Sequence, residues 1–151
     1  MRKQNSKLTI GYIDHLAMPE FGLDRVACKI DTGAYTSTLH CSSVRMVEEN
    51  GQSQLCFKLY DPKFGIITQR EFSFSEYNER RVRSSNGQVE TRYSIHTTLV
   101  LFGKNYRTEF TLSSREQMRF PILLGRRFLR KRFVVDVALK NLSFKREKNN
   151  L

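Results

Sequence analysis

Cysteine is scarce in this chain and odd in number: Cys28, Cys41 and Cys56 stand far apart. Such a set cannot form a disulfide framework, so the fold must hold by its core. No stretch resembles a signal peptide, and the longest purely apolar runs, such as Leu99-Val100-Leu101-Phe102, are far too short to cross a bilayer. A reduced, cytoplasmic setting without membrane insertion is expected. Histidine is also rare. His15, His40 and His96 never show the His-Glu-x-x-His spacing of a zinc peptidase helix. No Gly-x-x-x-x-Gly-Lys-Ser/Thr motif occurs and no glycine-rich loop leads a helix, which argues against a nucleotide site of its own. Internal repeats and low-complexity linkers are absent too.

What is present fits one globular domain. The 151 residues are 39% hydrophobic and 27% charged, enough for a core without a covalent staple. Eleven Phe and six Tyr, with little Ala, lean toward strands. The net charge of +11 suggests a polyanion partner until it is located along the chain. Residues 126–151 hold nine basic and two acidic residues, residues 1–7 hold three basic ones, and the long middle is nearly neutral. The ends are therefore read as basic flexible tails, 1–7 and 141–151, around a domain at 8–140. Such a basic C-terminal end can meet RNA, an acidic partner or an anionic surface, although most basic tails are simply solvated.

Between the tails, β-branched and aromatic runs alternate with turn signals. Strands are expected at 8–16, 25–30, 36–39, 54–60, 66–74, 93–102, 106–112, 120–124 and 133–137, with a short helix at 126–131. Asn50-Gly51 and Gly103-Lys104-Asn105 read as hairpin turns. The very polar stretch 75–92, with Asn86-Gly87, reads as an exposed loop or hairpin tip. Many short strands and one short helix near the C-terminus indicate a mainly β, closed barrel or a sandwich.

Two segments carry the chemistry: Ala27-Cys28-Lys29-Ile30-Asp31-Thr32-Gly33-Ala34-Tyr35-Thr36-Ser37 and Phe120-Pro121-Ile122-Leu123-Leu124-Gly125-Arg126. A carboxylate at the end of a buried strand, followed by Thr and Gly, is suited to being held in one orientation. Gly33 permits a sharp turn and leaves space beside the carboxylate, the Thr32 hydroxyl can brace the loop, and backbone N–H groups can hold the acid. The bland alternative is a structural aspartate capping a turn.

Asp-Thr-Gly-Ala after an apolar strand, with a distant hydrophobic pair and Gly-Arg, resembles the retropepsin-type aspartic peptidases. The similarity extends to a bacterial group labelled ATP-dependent zinc proteases, related to partners of RimK-type ATP-grasp amino-acid ligases. The residues that carry it are Lys29 to Ala34, Ser37, Leu39-His40, Ser85-Asn86-Gly87, Glu90-Thr91-Arg92, Thr111-Leu112, Arg115, Met118, Phe120-Pro121, Leu123-Leu124-Gly125-Arg126 and Val135-Asp136.

The resemblance implies a closed, retropepsin-like (acid protease) β-barrel with Asp31, Thr32 and Gly33 at the floor of a cleft. It implies a peptide or protein substrate, a homodimer with one Asp31 per chain, and a flap at 75–92 around Gly87. Ala34 completes the loop, and Arg126 resembles the arginine that braces it. In many retropepsins that arginine pairs with an acid just after the Asp-Thr-Gly-Ala; Tyr35 stands there in this chain.

Other readings stay in view. The same fold without turnover would be a peptide- or partner-binding module. A zinc peptidase would need ligands, and Cys28, His40 and Cys41 are the nearest set. Neighbours on a strand point to opposite faces, so His40 and Cys41 make poor co-ligands. No metal or cofactor site is therefore assigned, and any ATP link would run through a partner ligase. Ser37 and Cys41 lack a histidine placed to activate them.

Overall fold

The computed structural model describes residues 6–83, 86–114 and 119–149. Twelve strands and two helices follow in chain order: β1 Leu8–Ile10, β2 Ile13–Met18, β3 Leu23–Ile30, β4 Ser37–His40, β5 Ser42–Glu49, β6 Gln52–Asp61, β7 Ile66–Phe74, β8 Asn78–Arg83, β9 Val89–Leu101, β10 Lys104–Ser113, β11 Ile122–Leu124, α1 Arg126–Leu129, β12 Phe133–Val135 and α2 Leu142–Asn149. Six strands close into a barrel in the order β10, β4, β11, β3, β2, β9, with β9 pairing back to β10 and β8 added outside β9. The mainly β, closed retropepsin-like barrel expected from the sequence is the observed architecture.

Alternation decides which way each strand faces. Along β9, Ile95, Thr97, Leu99 and Leu101 are fully enclosed, and Phe110 and Leu112 answer them from β10. The two strands turn at Phe102-Gly103, where both residues take positive φ, the geometry of a tight two-residue hairpin. Asn50-Gly51 does the same between β5 and β6. The separate sheet of β5, β6 and β7 packs through an aromatic cluster in which the Phe21 ring meets Phe72 edge-on at 4.8 Å and Phe57 at 5.9 Å. All three cysteines are buried, free thiols. Burial pushes Cys28 well above the ordinary thiol value and Cys41 up to about 12, which suits core residues rather than nucleophiles.

The chain departs from expectation at three places. The run 8–16 is broken at Gly11, where a Cβ would stand 2.0 Å from the Leu139 carbonyl oxygen, so β1 leaves the barrel to pair with β12. The strand β5 was not expected from its mixed polar sequence; it survives by pairing with β6. Residues 142–149 are not a loose tail but a second helix, and the cause lies far away in sequence. Asp14, fully buried on β2, accepts the N–H groups of Ser143 at 2.9 Å and Phe144 at 3.1 Å, donors that a helix start leaves unpaired. Ser143 Oγ accepts from Phe102 N–H at 2.8 Å, and Phe144 lies between His15 and the Arg25 guanidinium. Among the described residues no helix is long and apolar enough to cross a membrane.

Replacing Asp14 by Ala should therefore free α2 while the barrel persists. The expected cost is about 1–3 kcal/mol, read as a lower thermal midpoint with amide protection lost selectively over 142–149.

Candidate active site

The strand β11 enters the barrel between β3 and β4, parallel to the first and antiparallel to the second. This insertion shapes the loop 31–36 that joins β3 to β4. Asp31 N–H donates to the Leu124 carbonyl at 2.9 Å, and Ala34 N–H returns to the Asp31 carbonyl at 3.2 Å. Gly33 N–H donates to Asp31 Oδ1 at 3.1 Å, so one carboxylate oxygen is oriented by the loop's own backbone. Asp31 is half-buried, while Thr32 and Gly33 are exposed. A reacting group can reach the acid.

Arg126 follows β11 and straps the loop from the other side. Its N–H donates to the Ala34 carbonyl at 2.8 Å, its guanidinium donates to the Thr32 carbonyl at 3.0 Å, and the same group stands 5.9 Å from the Tyr35 ring centroid. Where an acid would pair with this arginine, backbone carbonyl and aromatic face take its place. Ser37 serves as a brace too: its Oγ accepts from Gly125 N–H at 3.1 Å, and the Thr111 hydroxyl donates to the Ser37 carbonyl at 3.2 Å.

Within this site the glycine with no steric freedom is Gly125. A Cβ there would lie 2.7 Å from the Thr36 oxygen, whereas one at Gly33 would meet Asp31 Oδ1 at an ordinary 3.4 Å. Gly33, moreover, is not in the left-handed region.

Above this floor lies a cleft of about 370 Å³. Gly33, Ala34, Tyr35 and Arg126 form its base, and Arg81, Val82, Arg83 and Arg92 of the β8–β9 hairpin form its wall. The hairpin tip carries Gly87 at positive φ; Ser85, Arg115 and Met118 fall outside the described residues. Four arginines line this cleft and no carboxylate does among the described residues; Asp31 and Thr32 stand behind Gly33, outside the lining, and Arg92 pairs with Glu90. A larger recess of about 670 Å³, bordered by Phe74, Tyr77, His96 and Arg107, shares no residue with it, and its arginine already bonds Glu20 at 3.2 Å.

Sequence reasoning passed over Glu109, although a lone carboxylate inside Thr-Glu-Phe-Thr-Leu was a visible signal. It is buried on β10 and accepts from Ser94 Oγ at 2.7 Å, Arg127 at 2.9 Å and Arg80 at 3.0 Å. Burial pushes its carboxyl up, but the Ser94 hydroxyl and the Arg80 and Arg127 guanidinium groups outweigh that and hold it below its ordinary value. Metal ligation finds no comparable centre. Among the described residues no three His, Cys, Asp or Glu side chains converge, and His40 Nδ1 instead lies 3.4 Å from Asp61 Oδ2. The considered set of Cys28, His40 and Cys41 does not fit zinc.

Comparison with known proteins agrees with this fold. The model of the RimB-like family, described as retropepsin-like aspartic endopeptidase RimB, matches residues 9–146. A protein of Desulfotalea psychrophila named probable alpha-L-glutamate ligase is 30% identical over 140 residues, 93% of this chain and 30% of the relative. One of the same name from Shewanella halifaxensis is 29% identical over 87% of this chain and 29% of its own length. The chain thus spans less than a third of these relatives. In structure it is similar to Lpg0085 of Legionella pneumophila, a protein of unknown function, with TM-score 0.70, 24% identity and coverage of 91% and 99% of the two chains.

Two expectations follow. Gly125→Ala should destabilise the fold by about 1–3 kcal/mol by forcing β11 off the Thr36 backbone, while Gly33→Ala stays near the parent in a denaturant melt. Ionised Glu109 contributes stability that is present above its ordinary value of 4.5 and is lost as pH falls through its lower folded value. The parent's thermal midpoint should therefore fall more steeply below about pH 4.5 than that of Glu109→Gln.

Proposed function

The chain belongs to the RimB-like family of retropepsin-like aspartic endopeptidases, and on that premise we propose that it is an aspartic endopeptidase for acidic peptides, working as a homodimer. The observation that carries the reading is the Asp31-Thr32-Gly33 loop, strapped by Arg126, whose Gly33 borders a cleft beneath the β8–β9 hairpin while its N–H orients the half-buried Asp31 carboxylate. With one such loop per chain, the second carboxylate comes from Asp31 of another copy, related by a two-fold axis. Two carboxylates about 3 Å apart share one proton and titrate as a unit. The ionised member takes a proton from a water that attacks the peptide carbonyl. The protonated member donates to the carbonyl oxygen as the tetrahedral intermediate forms.

The substrate class rests on charge. Arg81, Arg83, Arg92 and Arg126 line the cleft, and arginine's planar fork matches a carboxylate. The relatives' printed name, alpha-L-glutamate ligase, supports a glutamate-rich peptide as the acidic substrate and a ligase as the partner. A second reading, a peptide-binding module without turnover, is favoured by one fact: the similar segment makes up only about 30% of those relatives. Under that reading the same arginines hold an acidic tail for a neighbouring catalytic unit.

Incubation with a fluorescent glutamate-rich peptide separates the two. Cleavage that drops at least about 100-fold in Asp31→Asn, with an unchanged thermal midpoint, supports the peptidase. Salt-sensitive binding with no cleavage by the parent supports the module. Cleavage undiminished in Asp31→Asn rules out the aspartic mechanism. Sedimentation equilibrium of the active species is expected to give a dimer.

A further inference from the structure

The hairpin β8–β9 is weakly anchored for an element that walls the cleft. Among the described residues β8 lies at the end of its sheet and pairs only with β9, so no described strand lies beside its other edge. A two-stranded ribbon of this kind has little stability of its own. Its pose over the Asp31 loop needs a further constraint.

The geometry supplies one across three strands. The side chain of Glu109 on β10 is only 6% exposed. Its Oε2 accepts from Arg80 Nε of β8 at 3.0 Å and Ser94 Oγ of β9 at 2.7 Å, and its Oε1 accepts from Arg127 of α1 at 2.9 Å. In the ladder Arg80 faces Arg92 and Val82 faces Glu90, so strand alternation puts these four residues on one face. Val82 and Arg92 of that face line the cleft, as do Arg81 and Arg83 of the opposite face. On the other side, Arg127 N–H donates to the Tyr35 carbonyl at 2.9 Å, and the preceding residue is Arg126, whose guanidinium holds the Thr32 carbonyl. One buried carboxylate is thus bonded to the wall of the cleft and to the segment that straps its floor.

We propose that Glu109 is a positioning residue that fixes the β8–β9 hairpin over the cleft and ties its pose to the Asp31 loop through Arg127. An exposed ion pair would be too weak for this task. Here the carboxylate is withdrawn from water, and removing its charge leaves two guanidinium groups facing a neutral amide. The tether stands on geometry alone; its consequence for substrate rests on the reading of the preceding subsection.

The test uses the full chain with Glu109→Gln, Glu109→Asp, Arg80→Leu and Arg127→Leu. Hydrogen exchange is followed over 78–83 and 86–92, and affinity is measured with a fluorescein-labelled hexaglutamate peptide in an Asp31→Asn background. Glu109→Gln should speed hairpin exchange about tenfold and weaken peptide binding by a similar factor, with β3 and β11 unchanged. Glu109→Asp should restore part of both. Arg80→Leu should reproduce the hairpin effect, and Arg127→Leu should leave the hairpin protected but, with Asp31 intact and cleavage of the same peptide followed, lower kcat more than it raises KM. Hairpin exchange in Glu109→Gln equal to the parent's, or faster exchange in all strands together, overturns the proposal. Should Glu109→Gln fail to fold, unchanged exchange in Arg80→Leu, whose side chain is 44% exposed, overturns it equally. A parent that neither binds nor cleaves the peptide overturns the acidic-peptide reading instead, and hairpin exchange still decides the tether.

Discussion

The backbone of β11 passes the β3–β4 loop with no room for a side chain at Gly125, where a Cβ would stand 2.7 Å from the Thr36 oxygen and 2.8 Å from that of Tyr35. This close crossing makes the rest of the site possible. It puts the Leu124 carbonyl within reach of Asp31 N–H, sets Gly125 N–H on the Ser37 hydroxyl, and starts α1 where Arg126 N–H meets the Ala34 carbonyl. Each contact satisfies a backbone group that the loop would otherwise leave unpaired as it turns between two interior strands. The acid is therefore oriented by main-chain geometry. Among the described residues no side-chain ion pair holds it.

Charge is organised on top of that frame. The excess of cations lies in the C-terminal third, but the structure divides their work. Arg127, joined by Arg80 from β8, serves a buried carboxylate, Arg126 a backbone carbonyl, and Arg132 stacks on Phe128 and Tyr106. Only part of the formal charge is thus a solvated surface. The pairing of Arg107 with Glu20 and of Arg45 with Glu71 belongs to the exposed rim, where ion pairs add little to stability. Glu109 differs because it is enclosed and receives donors from three elements at once.

The barrel and the Asp31 segment were legible because both are written in short-range patterns. Alternation marks β9 and β10, Asn50-Gly51 marks its own turn, and the two motifs together point to a loop beside an inserted strand. What was hidden depends on contacts between distant residues. The helix at 142–149 reads as a charged tail because its cap is Asp14, more than a hundred residues earlier. The strand β5 is half polar and owes its existence to β6. Motif logic singled out Gly33, next to the acid, and gave no separate weight to Gly125, where packing is strict. Glu109 was overlooked since its three partners come together only when the barrel closes.

Rigidity in this domain is distributed as a shared site would require. If the second carboxylate belongs to another copy, any displacement of Asp31 within one chain is doubled across the two-fold axis, so the loop must be fixed before association. The floor meets that need through backbone bonds to β11, which is itself paired on both sides. On the proposed reading the wall faces the opposite demand, since a peptide would enter beneath it. A ribbon paired along one edge, with Gly87 at its tip, keeps that freedom. A single buried carboxylate can then set its resting pose without adding a strand to lock it. Backbone hydrogen bonding thus fixes the acid, and side-chain electrostatics hold the hairpin that walls the cleft.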